Sequence, residues 1–152
     1  MAGGPRPRVL FLCTGNSCRS QMAEGWAKHL LSDRVDACSA GTAPHGLNPL
    51  AVRAMREAGV DISDHASKTV EACRPGSIDL VVTVCGHANE TCPVFPGSTR
   101  VVHRGFDDPP KLAAGAATEE EAMAPYRRVR DEIRAFVLTL PSLIASEIGV
   151  RA

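Results

Sequence analysis

The sequence predicts an α/β domain with a four-stranded parallel sheet flanked by helices. Apolar runs typical of buried strands alternate with amphipathic helical patterns along the chain. The first apolar run leads directly into a small, polar, glycine-containing loop that opens a helix. Right-handed crossovers would place the carboxyl ends of the strands at one edge of the sheet, where ligands bind in this class of fold.

The elements follow from apolar spacing and from their start and stop signals. Strands are predicted over 9–12, 35–40, 78–84 and 100–103. Helices are predicted over 19–31 and 50–58, and a short one over 69–73. The C-terminal third is predicted to be helical from a capping box at Thr118 and Glu121, with an interruption at Pro141. The segment around Asp107 and Asp108 is predicted to be a loop.

Length and composition limit the classes of function. A chain of 152 residues with zero net charge is expected to form one domain over 1–152 and to lack a nucleic-acid surface. The apolar run near the N-terminus is too short for a signal-peptide core, and no run reaches membrane-spanning length. We therefore expect a cytoplasmic monomer that binds neither nucleic acid nor a membrane.

The loop after the first strand is predicted to hold an oxyanion. Its backbone N–H groups and the positive end of the following helix meet at one place. Cys13 is the candidate nucleophile, because these groups and Arg19 are expected to favour its thiolate. Arg19 offers a planar fork that fits two oxygens of a tetrahedral anion. The predicted oxyanion-binding residues are Thr14, Gly15, Asn16, Ser17, Cys18, Arg19 and Ser20.

Three small residues of this loop have expected roles of their own. Gly15 and Asn16 tolerate positive φ, which would let the loop turn its amides inward. The Ser20 hydroxyl is expected to donate a hydrogen bond to the sulfur of Cys13. Cys18 is expected to be acidified by its neighbours, which would make it prone to oxidation.

The other cysteines are interpreted by their position. Because a reducing compartment disfavours structural disulfides, Cys38 and Cys73 are interpreted as packing residues. Cys85 follows the third strand and the Asp107–Asp108 pair follows the fourth, so both are predicted to lie at the same sheet edge as Cys13. His65 and Lys68, in a polar connection, are interpreted as surface residues.

These motifs together resemble those of the thioredoxin-coupled arsenate reductases, which share the low-molecular-weight protein tyrosine phosphatase fold with a P-loop after strand 1. The resemblance covers nearly the whole chain. It rests on CTGNSCRSQMAEGW at 13–26, SAG at 39–41, VVTVC at 81–85, CP at 92–93 and GFDDP at 105–109.

The resemblance implies reduction of arsenate to arsenite through three cysteines, without a cofactor. Cys13 attacks arsenic, and Asp108 protonates the departing oxygen. Cys85 then attacks Cys13, which releases arsenite and leaves a disulfide. Cys92 next attacks Cys85, and thioredoxin regenerates the enzyme.

The second disulfide constrains the segment between its cysteines. If residues 85–92 were helical, seven steps would separate the two Cα atoms by about 10 Å, beyond the roughly 7 Å limit for a disulfide. The sequence therefore predicts a segment that is ordered in the reduced form and rearranges on oxidation.

One position departs from the family pattern. Members that bind potassium use residues matching Asn16, Glu24 and Ser39, together with a carboxylate at a position where this chain has Lys68. No metal ion is therefore expected. The hypothesis is that the Lys68 ammonium takes the place of the cation near Glu24.

Three alternatives remain open. A low-molecular-weight protein tyrosine phosphatase would need only Cys13, Arg19 and Asp108, although no tyrosine follows Asp108–Pro109 as it does in those enzymes. A non-catalytic oxyanion sensor would bind arsenate without turnover. A zinc module is also conceivable, although six residues separate the first two cysteines instead of the usual two to four; its ligands would be Cys85, His87, Cys92 and His103.

Overall fold

The computed structural model describes residues 6–86 and 99–148 of the chain. Within them lies a four-stranded sheet in the order β2-β1-β3-β4, and every pairing is parallel. The strands are β1 (Arg8–Cys13), β2 (Asp36–Gly41), β3 (Leu80–Thr83) and β4 (Arg100–His103). The predicted parallel sheet is confirmed, although the third strand is shorter than predicted.

The predicted helices are present, and a further short one occurs. The helices are α1 (Arg19–Leu30), α2 (Pro49–Glu57), α3 (Pro109–Ala113), α4 (Glu119–Val137) and α5 (Leu140–Ile148), with 3-10 turns at Val70–Cys73 and Pro75–Ser77. The predicted interruption at Pro141 is confirmed, because α4 ends and α5 begins just before it. No helix in the described part of the chain is long and apolar enough to cross a membrane.

The short helix α3 corrects the prediction of a loop after Asp108. Pro109 occupies its first position, where the fixed φ of proline suits a helix and the missing N–H costs no hydrogen bond. Asp108 therefore becomes the residue that precedes a helix.

Strand β1 is the centre of the core. It lies between β2 and β3, and its residues Val9 to Leu12 are fully buried because helices cover the sheet. Helix α1 packs against β1, β2 and α4. The indole N–H of Trp26 donates to the Arg130 carbonyl at 3.1 Å, which ties α1 to α4. The strand that ends at Cys13 is thus fixed from both sides.

The chain segments that leave the strands meet beside Cys13. The Val84 N–H donates to the Leu12 carbonyl at 2.9 Å, which continues the ladder past the end of β3 and brings Cys85 to the end of β1. The Phe106 N–H in turn donates to the Val84 carbonyl at 3.1 Å. Cys13, Cys85 and the Asp107–Asp108 segment therefore lie at one edge of the sheet, as predicted.

A disulfide joins Cys38 to Cys73. The interpretation of these cysteines as packing residues is therefore wrong. Strand β2 is an edge strand, and the 3-10 turn Val70–Cys73 packs against it. The two sulfurs, 35 residues apart in sequence, become neighbours only through this packing.

Gly25 sets the approach of α1 to the segment after α2, which gives a testable prediction. A Cβ at Gly25 would lie 2.6 Å from Ile62 Cγ2 and 3.2 Å from Met55 Cε, and both of those side chains are fully buried. Gly25→Val should therefore lower the free energy of unfolding by about 2–3 kcal/mol through overpacking. Urea denaturation followed by circular dichroism measures the loss.

The matched control is Gly115→Val. A Cβ at Gly115 meets no atom within 4 Å, so this change should alter stability by less than about 0.5 kcal/mol. Equal losses for the two variants would contradict the packing argument.

Candidate active site

The loop that follows β1 turns its carbonyl groups outward. Five consecutive carbonyls accept hydrogen bonds from groups outside the loop or from the helix that follows it. These are the backbone carbonyls of residues 13–17. In that order they accept from Thr42 N at 3.2 Å, Ala43 N at 2.8 Å, His45 N at 3.1 Å, Gln21 Nε2 at 3.1 Å and Asn48 N at 2.9 Å. Because N–H and C=O lie on opposite sides of a planar peptide, the N–H groups of residues 14–18 face the loop interior. Such a ring of donors suits an oxyanion.

The two residues expected to have positive φ behave differently. Asn16 has a φ of 47°, as predicted. Gly15 does not have a positive φ. Glycine is needed at this position because a Cβ would clash with His45, at 2.0 Å from its Nε2. His45 thus packs directly on the loop.

Asn16 holds the loop from its fully buried position. Its Nδ2 donates to Ser20 Oγ at 2.9 Å and to Ser39 Oγ at 3.0 Å. Its Oδ1 accepts from the Lys68 backbone N–H at 2.9 Å and from Gln21 Nε2 at 3.1 Å. Ser20 Oγ thus belongs to this network as an acceptor, and its expected hydrogen bond to the Cys13 sulfur stays a prediction.

A buried carboxylate, Glu24, lies at the end of the network. It accepts from Ser39 Oγ at 2.5 Å and from Lys28 Nζ at 2.5 Å, and Lys68 Nζ lies 3.4 Å from Oε1. Burial opposes its ionisation, but the hydrogen bonds from Lys28 and Ser39 and the charge of Lys68 outweigh it, so the pKa of Glu24 is lowered.

His65 and Lys68 are not the surface residues that the sequence suggested. The His65 side chain is largely buried and its Nδ1 lies 2.9 Å from Gln21 Oε1, while burial lowers the pKa of His65. The Lys68 ammonium lies beside Glu24. Both residues belong to the support of the loop.

Arg19 and Asp108 face each other across the site. Arg19 Nη1 donates to the Phe106 carbonyl at 2.9 Å, and Nη2 lies 3.5 Å from Asp108 Oδ1. Arg19 Nε is buried and has no hydrogen-bond partner among the described residues. Asp107 instead pairs with Arg128 of α4 at 3.0 Å. The two adjacent carboxylates thus point to different partners, and only Asp108 contacts the arginine of the loop.

Cys85 follows β3 and lies next to Cys13 at the end of β1, and both residues are nearly inaccessible to solvent. Interaction with the Cys85 side chain and burial raise the pKa of Cys13, against the lowering effects of Arg19 and the Thr14 N–H. The expected lowering of the pKa is therefore wrong for this arrangement. Thr14 Oγ1 lies 3.4 Å from Cys85 Sγ, so the loop also contacts the second sulfur.

Burial likewise raises the pKa of Cys18, although Arg19 acts in the opposite direction. The expectation that Cys18 is acidified and easily oxidised is therefore wrong. Its side chain serves as part of the packed core.

Several contacts of the site had no sequence signal. Tyr126 of α4 accepts a hydrogen bond on its hydroxyl from Asn48 Nδ2 at 3.0 Å, and Asn48 binds the loop at Ser17. In the sequence Tyr126 is simply one apolar position of a helix. Its position at the site depends on the packing of α4 against α2.

Cys92 and His87 lie outside the described residues, so the predicted second disulfide and the zinc alternative are not described in full. His103 places Nδ1 2.8 Å from Thr83 Oγ1. Across residues 6–86 and 99–148, no group of three or more His, Cys, Asp or Glu side chains is arranged to hold a metal ion.

Known proteins similar to this chain include arsenate reductases and a protein tyrosine phosphatase. The model of the family described as low molecular weight phosphotyrosine protein phosphatase matches residues 8–146. An arsenate reductase from Halalkalibacterium halodurans is 55% identical over 125 residues, which are 82% of this chain and 88% of that protein.

Two solved structures extend the likeness. A thioredoxin-dependent arsenate reductase from Corynebacterium glutamicum has a TM-score of 0.68 and 27% identity, over 93% of this chain and 63% of that one. A low molecular weight protein tyrosine phosphatase from T. tengcongensis has a TM-score of 0.71 and 26% identity, over 90% of this chain and 99% of that one.

The raised pKa of Cys13 predicts slow alkylation in the reduced protein. At pH 8 iodoacetamide should modify Cys13 more slowly than an exposed thiol, and the rate should keep rising with pH, because only the thiolate reacts. Cys85→Ala removes the largest cause of the rise and should accelerate the modification of Cys13. Peptide mass spectrometry with fragmentation distinguishes Cys13 from Cys18.

Cys18 provides an internal control. Its raised pKa does not involve Cys85, so its alkylation rate should stay the same in Cys85→Ala. A Cys13 rate unaffected by the substitution would contradict the assignment of Cys85 as the main cause.

Proposed function

Because this chain belongs to the low molecular weight phosphotyrosine protein phosphatase family and is similar over most of its length to a curated arsenate reductase, we propose that it reduces arsenate to arsenite. The observation that carries this function is the position of Cys85: the Val84 N–H bond to Leu12 brings it to the end of β1, next to Cys13, and its Sγ lies 3.4 Å from Thr14 Oγ1 of the loop. Phosphate-ester hydrolysis needs one cysteine, whereas a reduction that ends in a disulfide needs two sulfurs in contact.

The loop of residues 13–20 would hold the substrate. Arsenate is a tetrahedral oxyanion, so its oxygens match the N–H groups that face the loop interior. Arg19 Nε is a buried donor without a partner among the described residues, and an anion oxygen would satisfy it. The Nη2 of the same guanidinium lies 3.5 Å from Asp108 Oδ1, which supports a role for that carboxyl next to a bound anion.

The first step is attack of the Cys13 sulfur on arsenic. Since the pKa of Cys13 is raised, its proton must leave before or during the attack. An As–S bond forms, and one oxygen of arsenate departs as water after protonation by Asp108. The result is an arsenic–thiolate adduct held by the loop.

In the second step the Cys85 thiolate attacks Cys13 Sγ. The S–S bond forms while the As–S bond breaks, and the bonding pair stays on arsenic, which changes from As(V) to As(III) and leaves as arsenite. The position of Cys85 next to Cys13 at the end of β1 supports this step, because the attacking sulfur is already at the loop that holds the adduct. Thr14, whose hydroxyl lies next to Cys85, positions the attacking sulfur.

The third step passes the disulfide from Cys13–Cys85 to Cys85–Cys92, and a dithiol protein of the thioredoxin type then reduces it. Cys92 lies outside the described residues, and the rearrangement of residues 85–92 on oxidation stays a prediction. We propose that the cycle needs no cofactor, and a thiol reductant favours a reducing compartment such as the cytoplasm.

A phosphomonoesterase activity is the second candidate. Cys13, Arg19 and Asp108 are in the arrangement that this reaction also needs, and the fold is shared with a tyrosine phosphatase. A phosphate bound in the loop would be hydrolysed without use of Cys85. We therefore expect weak hydrolysis of aryl phosphates beside the reduction of arsenate.

The relay is tested by arsenate-dependent oxidation of NADPH in the presence of thioredoxin and thioredoxin reductase. The native protein should turn over repeatedly, while Cys85→Ser and Cys92→Ser should each reduce steady-state turnover by at least about a hundredfold, because each breaks the transfer of the disulfide. Gly115→Ser, which adds a hydroxyl at a position where a Cβ meets no atom within 4 Å, is the control and should retain most of the activity.

The same proteins assayed with an aryl phosphate separate the two functions. Cys85→Ser and Cys92→Ser should retain whatever hydrolysis the native protein has. A chain that hydrolyses the ester but gives no arsenate-dependent signal would be a phosphatase, and Cys85 and Cys92 would lose their proposed roles.

Lys68 is proposed to replace a bound cation beside Glu24, in line with the 3.4 Å contact of its ammonium. Steady-state kcat/KM should then change less than about twofold when potassium chloride replaces sodium chloride at constant ionic strength, since a fixed ammonium needs no ion. Lys68→Asp should create a dependence on potassium, whereas Arg34→Asp, an equal charge change at an exposed residue, should not. Strong activation of the native protein by potassium would refute the proposal.

A further inference from the structure

The disulfide between Cys38 and Cys73 is a second sulfur pair, distinct from the cysteines of the proposed relay. Cys73 is almost completely buried, whereas Cys38, on the edge strand β2, is half-buried. Cys38 is therefore the more exposed residue of the pair, and we expect a thiol from solution to attack its sulfur and not that of Cys73.

Residues 65–68, which precede Cys73, lie against the outside of the oxyanion loop, and we call them its outer wall. Ser67 Oγ donates to the Gly15 carbonyl at 2.9 Å, and the Lys68 N–H donates to Asn16 Oδ1 at 2.9 Å. The first contact holds the Gly15 backbone carbonyl outward, and the second holds the Asn16 side chain, which in turn bonds Ser20 and Ser39. The geometry of the loop therefore depends on where residues 65–68 lie.

This wall has little regular structure to keep it in place. Between α2 and the turn Val70–Cys73 the structure describes no helix or strand. The Lys68 carbonyl accepts from the Gly41 N–H at 2.8 Å, and the Cys73 carbonyl accepts from Arg8 Nη1 at 3.0 Å. The disulfide is the covalent attachment of this wall to β2.

We infer that Cys38 and Cys73 form a second dithiol–disulfide couple, whose oxidised form holds residues 65–73 against the sheet and thereby strengthens oxyanion binding by the loop. The inference concerns anion binding by residues 13–20, so it does not depend on arsenate turnover. It makes the affinity of the site respond to the redox state of a pair that takes no part in the chemistry.

The exchange is a two-electron reaction with a dithiol reductant. One thiolate of the reductant attacks Cys38 Sγ, the S–S bond breaks, and Cys73 leaves as a thiolate that takes up a proton. The second thiol of the reductant then attacks its own sulfur in the mixed disulfide. Cys38 is released as a thiol, and the reductant keeps an internal disulfide.

The couple is tested first on the native full-length protein. The protein is equilibrated in graded mixtures of reduced and oxidised dithiothreitol, blocked with N-ethylmaleimide and digested without reduction. The cross-linked peptide containing Cys38 and Cys73 should appear and disappear reversibly while circular dichroism stays that of the folded protein. Two free thiols at every ratio, or a disulfide reduced only on unfolding, would overturn the inference.

The effect on the loop is measured with inorganic phosphate as the probe. A Cys13→Ser background removes the sulfur that would otherwise be oxidised at the anion site. In this background the reductant TCEP should weaken phosphate binding in isothermal titration calorimetry by at least about fivefold, the lower end of usual coupling between sites. Equal affinity with and without TCEP, while the cross-link forms and breaks, would overturn the inference.

A matched variant identifies the sulfurs responsible. Adding Cys38→Ser and Cys73→Ser to the Cys13→Ser background should give the weaker affinity under both conditions and abolish the response to TCEP. A response that persists would assign the effect to Cys18, Cys85 or Cys92 and refute the role of the disulfide. If this variant does not fold, Cys85→Ser and Cys92→Ser added to the Cys13→Ser background decide: the response to TCEP should persist without those two sulfurs, and its loss would refute the role of Cys38–Cys73.

Discussion

The site depends on the hydrogen bonds that turn the carbonyl groups of residues 13–17 outward. A short loop at the end of a strand would otherwise present a mixture of carbonyl oxygens and N–H groups, and an anion would be repelled as much as attracted. Here each carbonyl is occupied by a donor from a neighbouring segment or from α1. The peptide plane then directs the N–H groups to the interior. Anion binding is thus a property of the surrounding segments as much as of the loop.

The position of Cys85 next to Cys13 has opposite effects on two steps of the proposed reaction. It raises the pKa of Cys13, which lowers the fraction of thiolate available for the first attack. It also keeps the second sulfur in place for the step that a phosphatase does not need. A hydrolase gains from an acidic nucleophile alone, whereas a reductase also has to form a disulfide within one turnover. The arrangement favours the second requirement.

The sequence predicted features that are local and failed for those that arise from packing. The buried strand, the loop and the helix after it follow from neighbouring residues, and the alternation of such units predicts the parallel sheet. The ion pair of Lys68 with Glu24, the disulfide of Cys38 with Cys73 and the raised pKa of Cys13 each depend on a partner distant in the chain. A residue type and its neighbours carry no information about such a partner. Only Lys68 had a signal, because the family resemblance placed it near Glu24.

In the network that supports the loop, the buried negative charge of Glu24 is compensated by neighbouring groups. Its carboxylate is buried, and such a charge is stable only when it is paired and hydrogen-bonded. Lys28, Lys68 and the Ser39 hydroxyl supply these partners, and Ser39 passes the interaction on to Asn16. Asn16 is the loop residue with positive φ, and four hydrogen bonds of its side chain hold that conformation. Loss of either lysine would leave the charge of Glu24 less compensated and, because Ser39 joins Glu24 to Asn16, would weaken the hydrogen bonds that hold the loop.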